Sequence, residues 1–307
     1  MRDERPDSGA RPALSSLCRQ LRRIGAFLAF CALSLAPVAA WAVQLPGDGR
    51  PAPGEIGFQR SNSPIADEIH FFHNDILVPI IVLITLFVAG LLIYVMIRFN
   101  EKSNPVPSRT THNTMLEIAW TVIPVMILVF IAVPSFRLLT HQLVIPKPAV
   151  TIKVTGNQWY WTYAYPKAKD GGGFSFDSMI KPKNEINPAK GDIWLLSVDN
   201  DAVVPVGKVI RVLVTSSDVI HSFTVPAFGI RIDAIPGRMN ETWFKAERTG
   251  TYYGQCSKLC GINHAFMPIV FHVVSEKAYQ AWLAKAAKEF AALPSSNQVA
   301  KVAFRPQ

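Results

Sequence analysis

Two unbroken apolar runs constrain this chain more than anything else in it. The first, Ile76 to Ile97, carries no charged side chain and is bounded by Asp75 and Arg98. Wound as a helix rising about 1.5 Å per residue, it reaches roughly 33 Å, enough to cross the hydrocarbon core of a bilayer. The second, Ile118 to Phe136, opens after Glu117 and closes at Arg137. Pro124 and Pro134 fall inside it, and prolines are tolerated in membrane helices where neighbouring groups satisfy the freed carbonyls. Of the 307 residues 50% are apolar and only 17% charged, a balance that argues against a wholly soluble fold.

The flanks of these runs give an orientation. Residues 1–42 read as a secretory presequence. Arg19, Arg22 and Arg23 form its charged start, Ile24 to Val38 is apolar, and Ala40-Trp41-Ala42 offers small side chains at a cleavage site. An uncleaved anchor is the alternative. Between the two long runs, Arg98, Lys102 and Arg109 stand against Glu101 alone, so the positive-inside rule places that loop in the cytoplasm. A cleaved presequence leaves the mature N-terminus outside, and the two signals agree. The expected layout is an external segment over residues 43–72 and a transmembrane hairpin over 73–140, with spans 76–97 and 117–138. Everything after it lies outside the cytoplasm, on the periplasmic side of a bacterial inner membrane.

Beyond Val150 the pattern changes to short β-rich runs separated by Gly, Pro, Asn and Asp. They are Val150–Thr155, Trp159–Tyr165, Ile193–Val198, Val209–Thr215, His221–Val225, Glu241–Ala246, Gly250–Gln255 and Pro268–Val274. Strands at this spacing predict an all-β sandwich or Greek-key barrel over residues 141–276. The Ala/Lys-rich stretch Glu276 to Leu293 has helical spacing, giving a helical tail over 277–307. No internal repeat is present. The formal charge of +9 has no basic stripe interleaved with aromatics, so nucleic acid is not the expected partner.

The chemistry concentrates in Cys256-Ser-Lys-Leu-Cys260-Gly-Ile-Asn-His264-Ala-Phe-Met267, which holds two thiols, an imidazole and a thioether. His221 supplies a second imidazole at the start of a predicted strand. Soft and borderline donors of this kind suit copper or zinc and reject magnesium or calcium. A tetrahedral zinc site would leave Met267 without a role, and the three-residue gap is wider than the usual zinc knuckle. A mononuclear copper site would leave one cysteine surplus. A binuclear copper site uses every donor. A disulfide is the plain alternative for Cys256 and Cys260, and a buried, satisfied imidazole for His221.

The segment resembles the binuclear-copper loop of cytochrome c oxidase subunit II. The resemblance extends from about Gly57 to Val274. It takes in Arg98-Phe-Asn, Thr111-His-Asn-Thr, Glu117-Ile-Ala-Trp120-Thr-Val-Ile-Pro124, Gln158-Trp-Tyr-Trp161, Asp218-Val-Ile-His221-Ser-Phe and Asp233-Ala-Ile-Pro-Gly-Arg238. It implies a cupredoxin-like copper domain behind the hairpin and an electron-transfer role in a respiratory terminal oxidase, between a c-type cytochrome and the haem–copper catalytic subunit. By the same resemblance Cys256 and Cys260 bridge two copper ions and His221 and His264 each ligate one. Met267 and the backbone carbonyl of Lys258 are the weak ligands. Trp159 resembles the aromatic through which electrons come in, with a plain reading as a strand residue on the same face as Trp161. Glu117 resembles a carboxylate at the cytoplasmic mouth of a proton path, with a plain reading as a helix-end residue.

Two positions depart from the family pattern. Lys258 stands where a glutamate commonly helps hold a magnesium ion at the border with the catalytic subunit, and an ammonium cannot ligate a hard cation. From Leu143 onward nineteen basic side chains face twelve acidic ones, a net of +7, and Ala164 takes a place where Glu is common. A strongly basic cytochrome would be steered away from such a domain, so a weakly basic, acidic or tethered donor is expected. A copper-handling membrane protein without an oxidase role is the alternative of a different class.

Overall fold

A computed structural model describes residues 49–52, 54–166 and 173–291. The presequence expected over 1–42, with Cys18 and Cys31, and residues 292–307 of the expected tail lie outside the described residues.

The hairpin consists of two long helices. Helix α1 (Pro64–Phe71) runs through a π-helical turn, Phe72–Leu77, into α2 (Val78–Arg98), and α3 (Thr114–Leu143) returns. The first leg therefore begins earlier than the apolar run, inside the segment 43–72. Side chains cap both: Ser63 Oγ accepts from the Ala66 N–H at 3.1 Å, and Asn113 Oδ1 from the Leu116 N–H at 3.2 Å. Pro124 and Pro134 do not end α3. No residue of α2 or α3 is buried within the chain, which is the pattern of helices whose solvent is lipid.

The β-domain is a sandwich of two five-stranded sheets, cupredoxin-like in form. One sheet has the order β3-β2-β1-β5-β8 and the other β4-β10-β9-β6-β7. The strands are β1 (Val150–Asn157), β2 (Tyr160–Tyr165), β3 (Phe174–Ser178), β4 (Ala202–Pro205), β5 (Val209–Ser216), β6 (His221–Val225), β7 (Ile230–Ala234), β8 (Asn240–Lys245), β9 (Gly250–Cys256) and β10 (Pro268–Val274). Pairs β1–β5 and β4–β10 are parallel and the rest antiparallel. The alternating inward residues make an aromatic core. Trp161 meets Phe223 edge-on at 5.2 Å, and Phe228 stacks on Phe244 at 4.3 Å. Helix α4 (Glu276–Ala291) packs on this core through Tyr279, Trp282 and Phe290, with Trp282 5.1 Å from Tyr165 and Phe290 4.7 Å from Phe176.

Three differences from the sequence reading have local causes. Ile193–Val198 is not a strand. Leu195 has φ +70°, the Leu196 and Ser197 N–H groups turn back to the Ile193 carbonyl, and Val198 makes a single bridge to Ile180. Its apolar side chains nonetheless pack on the β4-β10-β9-β6-β7 sheet beside Tyr253 and Val270. Strands β3, β4 and β7 were not expected, because β4 is four residues ending in proline and β3 and β7 carry charged outward residues. Trp159 does not share a strand face with Trp161: it sits in the turn between β1 and β2, and the ladder begins at Tyr160.

Candidate metal centre

One end of the second sheet collects every donor. His221 opens β6, Cys256 closes β9, and the two strands run side by side with Phe223 opposite Cys256. Met267 precedes β10, whose first residue Pro268 lies opposite Gln255. The β9–β10 connection thus starts and finishes at the same edge, and Cys260 and His264 lie within it.

The cysteines are free thiols with their sulfurs 3.9 Å apart. On one side His221 Nδ1 is 4.0 Å and the Lys258 carbonyl 3.3 Å from Cys256 Sγ. On the other, His264 Nδ1 is 3.5 Å and Met267 Sδ 3.6 Å from Cys260 Sγ. The donor atoms of His221, Cys256 and Cys260 all lie within 4.8 Å of one another. His221 is fully enclosed and Met267 1% exposed, while His264 is half-buried.

Neighbouring groups hold this loop. Asp218 Oδ1 lies 2.9 Å from His221 Nε2 and also accepts from the Val219 N–H. An ionised carboxylate can only accept, so Nε2 carries a proton, and Nδ1 is the ring nitrogen that faces the sulfurs. Gln158 Nε2 and Trp159 Nε1 both donate to the Cys260 carbonyl, at 2.9 and 3.2 Å, and Trp161 Nε1 donates to the Met267 carbonyl at 3.1 Å. The Ser257 N–H donates to the Ser222 carbonyl at 3.0 Å.

The electrostatics divide the two thiols. Burial alone would raise Cys256, but hydrogen bonding to His221 and to backbone groups of Lys258 and Ser222 outweighs it and brings the thiol down to about 6. Burial pushes Cys260 up to about 12, helped by the neighbouring Cys256 charge. The first proton therefore leaves Cys256, and the charge left there holds the second on Cys260. Burial also opposes the charge on His221, yet its contacts with Cys256 and Asp218 raise it.

Of the residues singled out from sequence, His221, Cys256, Lys258, Cys260, His264, Met267 and Trp159 converge here. Glu117 does not. It lies in the first turn of α3, 24 residues and about 36 Å along the helix from His141, whose carbonyl accepts from Trp243 of the β-domain. Lys258 Nζ stands 3.9 Å from Asp233 Oδ2, both groups substantially exposed. Asp218 and Gln158 were not singled out for these contacts. The i, i+3 spacing of Asp218 and His221 was the one local signal for the first.

The family model for the periplasmic domain of cytochrome c oxidase subunit II matches residues 150–274, and that for its transmembrane domain matches residues 51–138. A probable cytochrome c oxidase subunit 2 from Rickettsia bellii is 53% identical over 234 residues, covering 76% of this chain and 85% of its own. Cytochrome c oxidase subunit 2 of Cereibacter sphaeroides is 50% identical over 254 residues, 78% of this chain and 82% of its own. The crystal structure of the periplasmic domain of subunit II of cytochrome oxidase from Bradyrhizobium japonicum is 56% identical and covers 48% of this chain and 99% of its own, with a TM-score of 0.42. Two adjoining family matches and relatives sharing half their residues over three-quarters of the sequence leave one conclusion: the chain belongs to the cytochrome c oxidase subunit II family.

Proposed function

We propose that this chain takes single electrons from a c-type cytochrome at a centre of two copper ions. From there they pass to the haem–copper catalytic subunit of its oxidase, where oxygen is reduced to water. The family makes the chain a subunit of cytochrome c oxidase and implies a copper centre; a copper-handling protein outside an oxidase is not favoured.

The observation that carries the number two is the division of donors. Each sulfur has its own imidazole Nδ1 and its own weak donor, a carbonyl for Cys256 and a thioether for Cys260. One tetrahedral zinc would leave the thioether and the carbonyl idle, and one mononuclear copper a cysteine and the carbonyl. Copper held by His221, Cys256, Cys260, His264, Met267 and the Lys258 carbonyl would supply a one-electron couple.

The chain's own residues do the rest. Asp218 fixes the His221 tautomer. Gln158, Trp159 and Trp161 hold the carbonyls of Cys260 and Met267, so the donors need little rearrangement when an electron arrives. Trp159, half-buried and bonded to the Cys260 carbonyl, is the group through which electrons come in. Glu117 serves proton uptake at the opposite, cytoplasmic end. The Lys258 ammonium, beside Asp233, takes the place of a magnesium ion at the border with the catalytic subunit. The hairpin lies in the bacterial inner membrane with the copper domain on the periplasmic side.

Rapid mixing of the assembled oxidase with reduced cytochrome c tests this. The copper band should bleach before haem is reduced, and Cys256→Ser should abolish that first phase. Haem reduction at an unchanged rate in Cys256→Ser would overturn the proposal.

A further inference from the structure

The polar segment ahead of the first membrane helix is built into the β-domain. Asn62 and Ser63 are both completely enclosed. Asn62 uses every polar group it has. Its N–H donates to the Ala227 carbonyl at 2.7 Å and its carbonyl accepts from the Glu247 N–H at 3.2 Å. Its side-chain Nδ2 donates to the Arg248 carbonyl at 3.2 Å, and Oδ1 accepts from the Arg248 N–H at 2.9 Å. Ser63 Oγ donates to the Phe228 carbonyl at 2.7 Å while capping α1 through the Ala66 N–H. Arg248 Nη2 donates to the Ser61 carbonyl. Gly229 has φ +66°, and a Cβ there would come within 2.9 Å of Ala66 Cα and N, so helix and domain touch backbone to backbone.

These contacts fall on two particular strands. Ala227, Phe228 and Gly229 follow β6 after Pro226, and the first residue of β6 is His221. Arg248 precedes β9 by one residue, Thr249, and the last residue of β9 is Cys256. The helix is thus fastened at the far ends of the two strands whose near ends carry His221 and Cys256, the donor pair on one side of the metal centre. The second leg of the hairpin joins the same body. Trp243 Nε1 donates to the His141 carbonyl at 3.2 Å, and His141 Nδ1 meets the Glu68 carboxylate at 3.0 Å.

We infer that Asn62, Ser63 and Arg248 are positioning residues for electron transfer. They hold β6 and β9 as struts between the membrane helix and the copper loop, and so fix the separation of the centre from an acceptor in the membrane. This rests on the function proposed above, in which one electron leaves the copper pair and reduces the haem iron of the partner subunit. Strand pairing stiffens the struts, and electron transfer falls off exponentially with distance, so a shift of the centre away from its acceptor is read as a slower onward rate.

The test uses the full chain in the assembled oxidase carrying Asn62→Ala with Ser63→Ala, compared with Ser63→Thr, which keeps the capping hydroxyl. The double variant is expected to retain the copper spectrum and the rate at which cytochrome c reduces it, while onward reduction of haem slows by about tenfold or more. Ser63→Thr is expected to behave as the unsubstituted protein. Should the double variant fail to assemble, Gly229→Ala, which displaces Ala66 without removing a hydrogen-bonding group, is read in the same way. An unchanged onward rate overturns the inference, and so does an altered copper spectrum, which would mean that the segment shapes the loop instead of placing it. Lack of a two-copper spectrum in the unsubstituted protein would instead overturn the function on which the inference rests, so the two failures are distinguishable.

Discussion

The imidazole of His221 meets Asp218 through Nε2 at 2.9 Å, and this one contact decides which ring nitrogen faces the sulfurs. Burial opposes the Asp218 charge, but hydrogen bonds from His221, Val219 and Gln158 outweigh it and hold the carboxyl below its ordinary range. The ring is therefore oriented with Nδ1 toward the sulfurs before any metal arrives.

Removing that carboxylate frees the ring to adopt either tautomer. Asp218→Ala is expected to weaken copper binding by about 10- to 100-fold, the usual cost of losing an outer partner of a ligating imidazole. Asp218→Asn, which keeps an acceptor oxygen, should lose less. Competition with a chelator of known affinity measures both, and equal affinity in Asp218→Ala would contradict the role.

Trp159 bridges the surface and the loop. Trp159→Leu should slow reduction by cytochrome c by about thirtyfold, the equivalent of roughly 2 kcal/mol at a docking hot spot. Copper should be retained, because Gln158 Nε2 still holds the Cys260 carbonyl. Rapid-mixing kinetics with copper analysis separate the two effects. Loss of copper would show that the ring is structural only.

Gly156 is required by space. A Cβ there would lie 2.9 Å from His221 Cδ2 and 3.0 Å from Trp161 Cζ3, both fully enclosed rings. Gly156→Ala should cost about 1–3 kcal/mol in denaturant unfolding, as overpacking of a full core does. It should also perturb the copper spectrum by shifting His221. A stable variant with an unshifted spectrum would refute this.

The segment of residues 187–198, packed beside Tyr253 and Val270, should open in acid. Lys181 Nζ, 2.7 Å from Asp192, together with the Asn187 N–H, holds the Asp192 carboxyl below its ordinary 3.8. A group with a lowered folded value stabilises at pH above its unfolded value, and the effect is lost as pH falls through the folded one. Protection of the amides across residues 187–198, taken against the intrinsic exchange rate at each pH, should therefore fall below the ordinary carboxylate range, and Lys181→Met should flatten that dependence.

Much of this molecule was legible because its signals are local. The hairpin follows from two runs that no soluble core would tolerate. Strands β6 and β10 have the bounds expected from sequence, since β-branched and aromatic residues there are framed by turn formers. Cys256, Cys260, His264 and Met267 share one short loop, so their convergence needed only that loop to close. What the sequence hid depends on contacts across the fold. Gln158 reaches Cys260 over 102 positions and Asn62 reaches Arg248 over 186, and neither pairing leaves a local pattern. Ile193–Val198 misled because apolar spacing alone does not separate a strand from a turn whose carbonyl at Ile193 accepts two N–H groups. Asn62 and Ser63 fall in the segment expected to be external, and their burial makes them part of the domain.

The measurement that bears most directly on the metal centre is copper analysis with paramagnetic resonance on the full chain, loaded after thiol reduction. Two coppers per chain and a spectrum of one electron shared equally by two copper nuclei are expected. One copper per chain with an ordinary single-copper spectrum, or an active protein whose Cys256 and Cys260 are joined as a disulfide, would contradict it.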